Sequence, residues 1–181
     1  MKHAEKLNLN IDVSDLNLHK CTPHKKYTKF QKYSKHLPGI NLGSETKYVE
    51  NEYLYIQQLP KSLLSIEVPK VFLLEILKPS SDNSLLPIHI DINKTCGINV
   101  YLEANNEVTK FYDWDTTTRT CSYVEEFCAE PGDVWLMNNK QPHSVDLVKD
   151  CQRRILTYSF VSTPYNVVLE TINANNNYKK Q

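Results

Sequence analysis

The sequence predicts a mainly β domain, an antiparallel sandwich or barrel with N-terminal helices packed on one sheet. From residue 70 onward, short apolar stretches alternate with turn-prone stretches rich in Pro, Asn, Asp, Ser and Thr. No helical periodicity separates most of these stretches, which disfavours βαβ units. The four glycines, at positions 39, 43, 97 and 132, form no glycine-rich phosphate loop. This absence argues against a nucleotide-binding α/β fold.

Length and composition indicate one domain and no particular class of partner. The 181 residues are enough for a full hydrophobic core, and Lys plus Arg balance Asp plus Glu at 21 each. The sequence has no apolar run long enough for a membrane span and no secretory signal, so we expect a cytoplasmic protein without membrane contact. Five widely spaced cysteines without a CxxC pair favour free thiols.

Residues 1–60 are predicted to be mostly helical. Residues 20–36 contain six lysines and no acidic residue, with aromatic residues at every third position: Tyr27, Phe30 and Tyr33. This pattern favours an amphipathic helix with its aromatic side on the domain. A contact with nucleic acid or another anionic ligand is the alternative. A second helix is predicted over residues 44–58.

The predicted β core spans residues 70–161 and is followed by a helix over residues 163–173. Its strands are predicted at residues 70–78, 87–92, 97–103, 108–112, 134–137 and 153–161, with His143 on a further strand. The first is apolar on both faces, as in a covered central strand. Thr163 and Pro164 fit an N-cap followed by proline at the first helical position.

Three of these strands divide into one apolar face and one polar face, because side chains alternate along a strand. The polar faces hold His89, Asp91, Asn99, Tyr101, Arg153, Thr157 and Ser159. We expect the apolar faces to pack on the N-terminal helices and the polar faces to converge inside the sandwich. Since unpaired polar groups are costly there, the pattern predicts a cavity for a metal and an anionic cofactor.

His89, Asp91 and His143 are the candidate metal ligands. His89 and Asp91 lie two residues apart on one predicted strand, so both side chains point the same way. His143 follows 52 residues after Asp91. Two histidines and one carboxylate form the facial triad of non-heme Fe(II) oxygenases. A lone His-x-Asp pair is weak evidence, so the interpretation depends on the ordered set, which ends with Arg153 ten residues after His143.

Arg153 is the candidate carboxylate-binding residue, because a guanidinium is planar and always charged. Arg154 is its alternative, although alternation places Arg154 on the apolar face. Tyr101 can donate its hydroxyl to the same carboxylate, and a purely structural role in the core is equally compatible with its position. Asn99 and Thr157 share the polar faces with these residues and complete the candidate cofactor-binding set.

Residues 71–161 resemble the double-stranded β-helix (jelly-roll, cupin-like) core of the Fe(II)/2-oxoglutarate-dependent oxygenases. The matching stretches are PIHID, GINVYLE, VTKFYDW, PGDVWLMNNKQPHSV and RRILTYSF. The prolyl-hydroxylase-like and aspartyl/asparaginyl-hydroxylase-like branches are the most similar. The prolyl pattern has a glycine pair where Asn106, Glu107 and Val108 stand here, which weakens that assignment. The resemblance covers about half of the chain.

The resemblance implies that His89, Asp91 and His143 bind Fe(II). It also implies that Arg153, assisted by Tyr101, holds the distal carboxylate of 2-oxoglutarate, and that Asn99 lines the same pocket. The implied reaction consumes O2, converts 2-oxoglutarate into succinate and CO2, and hydroxylates a C–H bond. A protein side chain is the favoured substrate class, ahead of nucleic acid and a free small molecule.

Two other functions fit parts of the pattern. A cupin-like protein would bind a metal or sugar without redox chemistry, but it would not need a buried cation such as Arg153. A zinc hydrolase would need a general base beside the metal, and the sequence offers no separate candidate. Four further residues could reach a substrate: Trp114, Trp135, Asn138 and Asn139. For Trp135 a place in the core is favoured, and for the two asparagines a role as turn residues.

Overall fold

The computed structural model of the protein describes residues 2–23, 44–76, 85–148 and 150–178. Most of the basic segment falls in 24–43, so the helix predicted there lies outside the described residues. The strands are β1 (Ala4–Lys6), β2 (Thr22–Pro23), β3 (Ser44–Tyr48), β4 (Lys70–Ile76), β5 (Leu85–His89), β6 (Cys96–Glu103), β7 (Val108–Asp115), β8 (Thr120–Cys128), β9 (Val134–Asn138), β10 (His143–Asp146) and β11 (Arg153–Phe160). The α-helices are α1 (Glu52–Ile56), α2 (Lys61–Ile66) and α3 (Tyr165–Tyr178).

The strands form two antiparallel sheets. The large sheet has the order β1-β9-β6-β11-β4-β3-β2, and the small sheet has the order β5-β10-β7-β8. From β4 to β11 the chain crosses repeatedly between the two sheets, which is the connectivity of a jelly roll. The predicted fold class is therefore confirmed: the protein is mainly β, with a double-stranded β-helix core.

The outer face of the large sheet carries the main hydrophobic core. Leu156, Tyr158 and Phe160 on β11 are fully buried there, together with residues of α1, α2 and α3. Full burial of one such side chain contributes about 1.5–3 kcal/mol, so this layer supplies much of the stability. The predicted apolar faces of β6 and β11 are confirmed by this packing.

The inner face of the large sheet is partly polar. A second, smaller core cluster contains Tyr101 and Ile155 of this sheet and Phe111 of the small sheet, so it lies between the two sheets. Asn99, Arg153 and Thr157 are also buried. The alternation read from the sequence therefore places the predicted polar residues of β6 and β11 inside the sandwich.

Within residues 2–23 and 44–60, the N-terminal part contains less helix than predicted. Residues 44–48 form β3, which pairs with β4, rather than the start of a helix over 44–58. Asn51 has a positive φ of 56°, which interrupts the regular backbone conformation between β3 and the short α1. Pairing with a neighbouring strand overrides the weak helical pattern here, because strand formation depends mainly on tertiary context.

The small sheet differs from the prediction in two further respects. β5 ends at His89, and its outward residue Ile88 and the following Ile92 are exposed, because no helix covers this face among the described residues. β8 was not predicted. β8 is largely exposed, and its pairing with β7 shifts register opposite Phe111 and Tyr112. It therefore lacks the alternation of apolar and polar residues by which a strand is recognised in a sequence.

The C-terminal helix continues beyond its predicted end at residue 173. α3 runs to Tyr178, and Val168 and Ile172 are buried in the main core. The side-chain amide of Asn175 donates to Ser62 on α2 and to the carbonyl of Thr171. A polar contact with α2 thus supports the helix along a segment rich in asparagine.

Candidate metal centre

His89 and His143 face each other on neighbouring strands. β5 and β10 are antiparallel, and their register pairs His143 directly with His89. Directly opposed residues share one face of a sheet, and the two ring centroids are 4.3 Å apart. His143 is buried, and the exposed fraction of the His89 side chain is 10%. Strand pairing alone therefore brings the two imidazoles together.

Backbone carbonyls set the orientation of both imidazoles. Nδ1 of His89 lies 2.7 Å from the carbonyl oxygen of Pro87, and Nδ1 of His143 lies 2.9 Å from that of Gln141. A carbonyl oxygen can only accept, so each Nδ1 carries the proton and donates. In the neutral tautomer each Nε2 then keeps its lone pair, as a metal ligand requires.

Asp91 completes the cluster from the loop that follows β5. One ligand atom from each of His89, Asp91 and His143 lies within 4.8 Å of the others. Oδ1 of Asp91 is 3.9 Å from Nε2 of His89. The backbone N–H of Asp91 donates to the carbonyl of Asn139 at 3.0 Å, which fixes the loop against the end of β9.

The protonation states of the cluster suit a divalent metal. Burial alone would raise the pKa of Asp91, but Lys94 and the two histidines lower it well below its usual range. Burial, followed by the neighbouring His89, lowers the pKa of His143 to about 4. Near pH 7 the cluster thus offers an ionised carboxylate and a neutral buried imidazole, the forms that coordinate metal. This donor set fits Fe(II).

Arg153 lies between the two sheets, in the same interior as the cluster. Its side chain is buried, and its Nη2 donates to Oη of Tyr101 and to Oγ1 of Thr109, each at 3.2 Å. Its guanidinium carbon lies 5.2 Å from the centre of the Tyr101 ring. Nε and Nη1 are buried and have no hydrogen-bond partner among the described residues. These donors are available to a buried anion.

Arg154 points the other way. Its Nε donates to Glu75 at 2.8 Å and its Nη1 to Glu103 at 2.5 Å. Lys47 also pairs with Glu75. Arg154 therefore belongs to an ion-pair network on the outer side of the large sheet, away from Tyr101 and Thr109.

Asn99 and Thr157 lie side by side on the inner face, paired in the register of β6 and β11. Asn99 donates through Nδ2 to Sδ of Met137 at 2.9 Å. Oγ1 of Thr157 is buried without a hydrogen-bond partner in the described part of the chain. A Cβ built on Gly97 would lie 3.4 Å from this hydroxyl and 3.6 Å from Oδ1 of Asn99, so the two side chains gather around a glycine.

Three residues of the site were not predicted from the sequence. Asn139 is buried and donates to Asp91, Lys94 pairs with Asp91, and Thr109 binds Arg153. Asn139 was expected to be a turn residue, and no role was predicted for Lys94 or Thr109. The only sequence signal that could have pointed to Asn139 as part of the site was its position four residues before the candidate ligand His143. Trp135 is half-buried against Phe127, with ring centroids 4.1 Å apart.

Comparisons with known proteins give distant structural similarity only. No protein-family model matches the chain, and no curated protein matches its sequence. E. coli ycfD is 12% identical, with 90% of this chain and 51% of that chain covered and a TM-score of 0.46. An oxidoreductase of the 2OG-Fe(II) oxygenase family from Burkholderia pseudomallei is 17% identical, with coverages of 50% and 41% and a TM-score of 0.36. Vicilin from hazelnut, Corylus avellana, is 13% identical, with coverages of 71% and 32% and a TM-score of 0.42.

The chain spans about a third to a half of the length of these three proteins. None of its described helices is long and apolar enough to cross a membrane. The chain is a jelly-roll protein with a candidate metal site formed by His89, Asp91 and His143 at one end of the small sheet.

Proposed function

We propose that this protein is an Fe(II)- and 2-oxoglutarate-dependent dioxygenase that hydroxylates a C–H bond. One observation carries the proposal: the His89, Asp91 and His143 cluster shares the interior of the sandwich with Arg153. Arg153 is a buried cation with unused donors among the described residues. A site that only binds a metal ion does not need a buried cation nearby. A site that also binds a dicarboxylate cosubstrate does need one, to pair with the second carboxylate.

Fe(II) bound at the cluster would supply O2 activation coupled to decarboxylation of the keto acid. His89 and His143 would hold it through Nε2, because their Nδ1 atoms face backbone carbonyls. Asp91 would contribute its carboxylate. Three protein ligands leave coordination positions for the cosubstrate and O2.

Arg153 would bind the distal carboxylate of 2-oxoglutarate. Its partner Thr109 is two residues from Phe111 on β7, and Phe111 pairs with His143 on β10. Thr109 and Phe111 are therefore roughly 7 Å apart along β7, the spacing between two successive side chains on the same face of a strand. The guanidinium held by Thr109 is displaced from the histidines by about this distance along the sheet. This separation suits a short dicarboxylate that bridges the metal and Arg153. Apolar Phe111 and Phe127 nearby keep the interior dry, which strengthens the ion pair.

A protein side chain is our proposed substrate class, following the resemblance to hydroxylases of prolyl and aspartyl or asparaginyl residues. A nucleic acid is the competing substrate, on the strength of the basic segment. Salt titration of nucleic-acid binding distinguishes them, because each phosphate contact adds to the salt dependence. A steep dependence that disappears in the Lys25→Ala/Lys26→Ala/Lys29→Ala variant would favour the nucleic acid, and its absence would remove this option.

The decisive experiment is anaerobic addition of Fe(II) and 2-oxoglutarate. We expect a weak visible charge-transfer band that is lost in the His89→Ala and Asp91→Ala variants, and slow succinate release after O2 is admitted, even without substrate. Neither signal in the wild-type protein would contradict the oxygenase. Metal binding without 2-oxoglutarate binding would instead favour a cupin-like metal-binding protein.

A further inference from the structure

The two carboxylate oxygens of Asp91 have different surroundings. Oδ1 is on the side of the histidines, 3.9 Å from Nε2 of His89. Oδ2 accepts a hydrogen bond from Nδ2 of Asn139 at 2.7 Å and lies 3.2 Å from Nζ of Lys94. One oxygen is thus close to another metal ligand, and the other is already bound to two donors.

Asn139 is held firmly in this role. Its side chain is buried, its backbone N–H donates to Thr95 at 3.1 Å, and its carbonyl accepts from the backbone of Asp91 at 3.0 Å. A carboxylate can only accept, so the amide must present Nδ2 to Asp91 and Oδ1 to the opposite side. There a Cβ on Gly97 would lie 3.2 Å from Oδ1, so the glycine lets the amide pack closely against β6.

Lys94 adds a positive charge to the same oxygen. Its side chain is four-fifths buried, so its ion pair with Asp91 is less screened by solvent than a surface pair. Lys140 is also near, but it donates to the backbone carbonyls of Asp91 and Ile92 rather than to the carboxylate. Lys140 therefore provides a matched control for Lys94.

We propose that Asn139 and Lys94 are positioning residues that occupy Oδ2 of Asp91, so that Asp91 binds a divalent metal through Oδ1 alone. This inference rests on the metal site of the proposed function. One-oxygen binding keeps an additional coordination position open at the metal. Without the two donors, Oδ2 would be free to turn toward the metal and fill that position.

The test uses Co(II) and Mn(II) alone, without 2-oxoglutarate or turnover. Asn139→Leu keeps the side-chain volume but removes the donor. Asn138→Ala at the end of β9 is the control, since among the described residues the Asn138 side chain only accepts a hydrogen bond from the backbone N–H of Lys140. We expect Asn139→Leu to weaken metal binding by about 10- to 100-fold, as loss of a partner to a metal ligand does. We also expect weaker Co(II) d–d absorption, because two-oxygen binding raises the coordination number.

Lys94→Met provides a second variant on a partly exposed loop, in case Asn139→Leu does not fold. It should change the Co(II) spectrum in the same direction, whereas Lys140→Met should not. A structure with Mn(II) should place one oxygen of Asp91 on the metal in the wild type and two in Asn139→Leu/Lys94→Met. Wild-type affinity and spectrum in both single variants would overturn the inference and leave the proposed function intact. A wild-type protein that binds neither metal would overturn both.

Discussion

Arg153 and Thr109 connect the two sheets across the interior, with Nη2 of the arginine on β11 donating to Oγ1 of the threonine on β7 at 3.2 Å. The same nitrogen donates to Tyr101. Both hydrogens of Nη2 are therefore used to hold the guanidinium in place, while Nε and Nη1 have no partner among the described residues. A cation held rigidly by neutral groups is preorganised for an anion.

Replacing Arg153 by Met should weaken 2-oxoglutarate binding by about 10- to 100-fold, because a hydrogen bond to a charged group contributes about 1.5–3 kcal/mol. Stability should change little. Removing a buried charge that has no ion-pair partner among the described residues is favourable, and this gain offsets the loss of the hydrogen bonds to Tyr101 and Thr109. Calorimetric titration with 2-oxoglutarate and thermal unfolding of the same samples measure the two effects. A stable variant with unchanged affinity would show that Arg153 does not bind the cosubstrate.

Arg154→Met is the control for this prediction and should give the opposite pair of results. Affinity for 2-oxoglutarate should change by less than about twofold, because Arg154 lies on the outer side of the large sheet. Stability should fall by about 1 kcal/mol, because Glu75 is nearly fully buried and would keep only Lys47 as its partner among the described residues.

Divalent metal should stabilise the fold through His143. A ligand that binds only the folded state at 100 times its Kd adds about 2.7 kcal/mol to the free energy of unfolding. We expect Mn(II) to raise the Tm of the wild-type protein and a chelator to reverse the shift. His143→Ala should abolish the metal response. An equal metal-induced shift in His143→Ala would place the bound metal elsewhere.

Thr157→Val tests whether the unpaired hydroxyl on the inner face serves a ligand. Oγ1 of Thr157 is buried without a partner among the described residues, so replacing it by a methyl group should leave stability unchanged or increase it. If the hydroxyl binds 2-oxoglutarate, the affinity should fall by about 2- to 10-fold, which is the net value of one hydrogen bond. Ser159→Ala on the same strand is the control. Reduced stability without a loss of affinity would indicate a purely structural hydroxyl.

The inward-facing polar residues of β6 and β11 were predictable because they follow from strand alternation. Once Leu156 and Tyr158 are assigned to the outer core, Arg153 and Thr157 must face inward, and the same reasoning places Asn99 and Tyr101. This inference needs only the period of two and an apolar face, both of which a single sequence supplies.

The support around Asp91 was not predictable, because it depends on loops from different parts of the chain. Asn139 reaches Asp91 only because β9 and β5 end at the same side of the sandwich, and Lys94 reaches it through a local turn. β3 and the extension of α3 beyond residue 173 were missed for a related reason. Pairing with β4 and contacts with α2 decide these elements, and neither leaves a local pattern.

Glu67 should make stability depend on pH below about 5. Its carboxylate follows α2 and accepts hydrogen bonds from the loop before α3: the backbone N–H of Val161 at 2.6 Å, and the N–H and hydroxyl of Thr163 at 2.8 and 2.7 Å. Ser162 donates to it as well. Burial opposes ionisation, but these donors outweigh it and lower the pKa of Glu67 below its ordinary 4.5.

A carboxylate whose pKa is lower in the folded protein stabilises the fold at high pH and loses this contribution as the pH falls through 4.5 and then through the folded value. Glu67→Gln keeps the shape but removes the charge, so its free energy of unfolding at pH 7 should be about 2 kcal/mol lower than that of the wild type. Between pH 5 and 3 the wild type should lose stability more steeply than the variant, so that the two curves converge. Urea unfolding at each pH measures both quantities. Parallel curves over this range would mean that the Glu67 carboxylate does not hold the loop to α2.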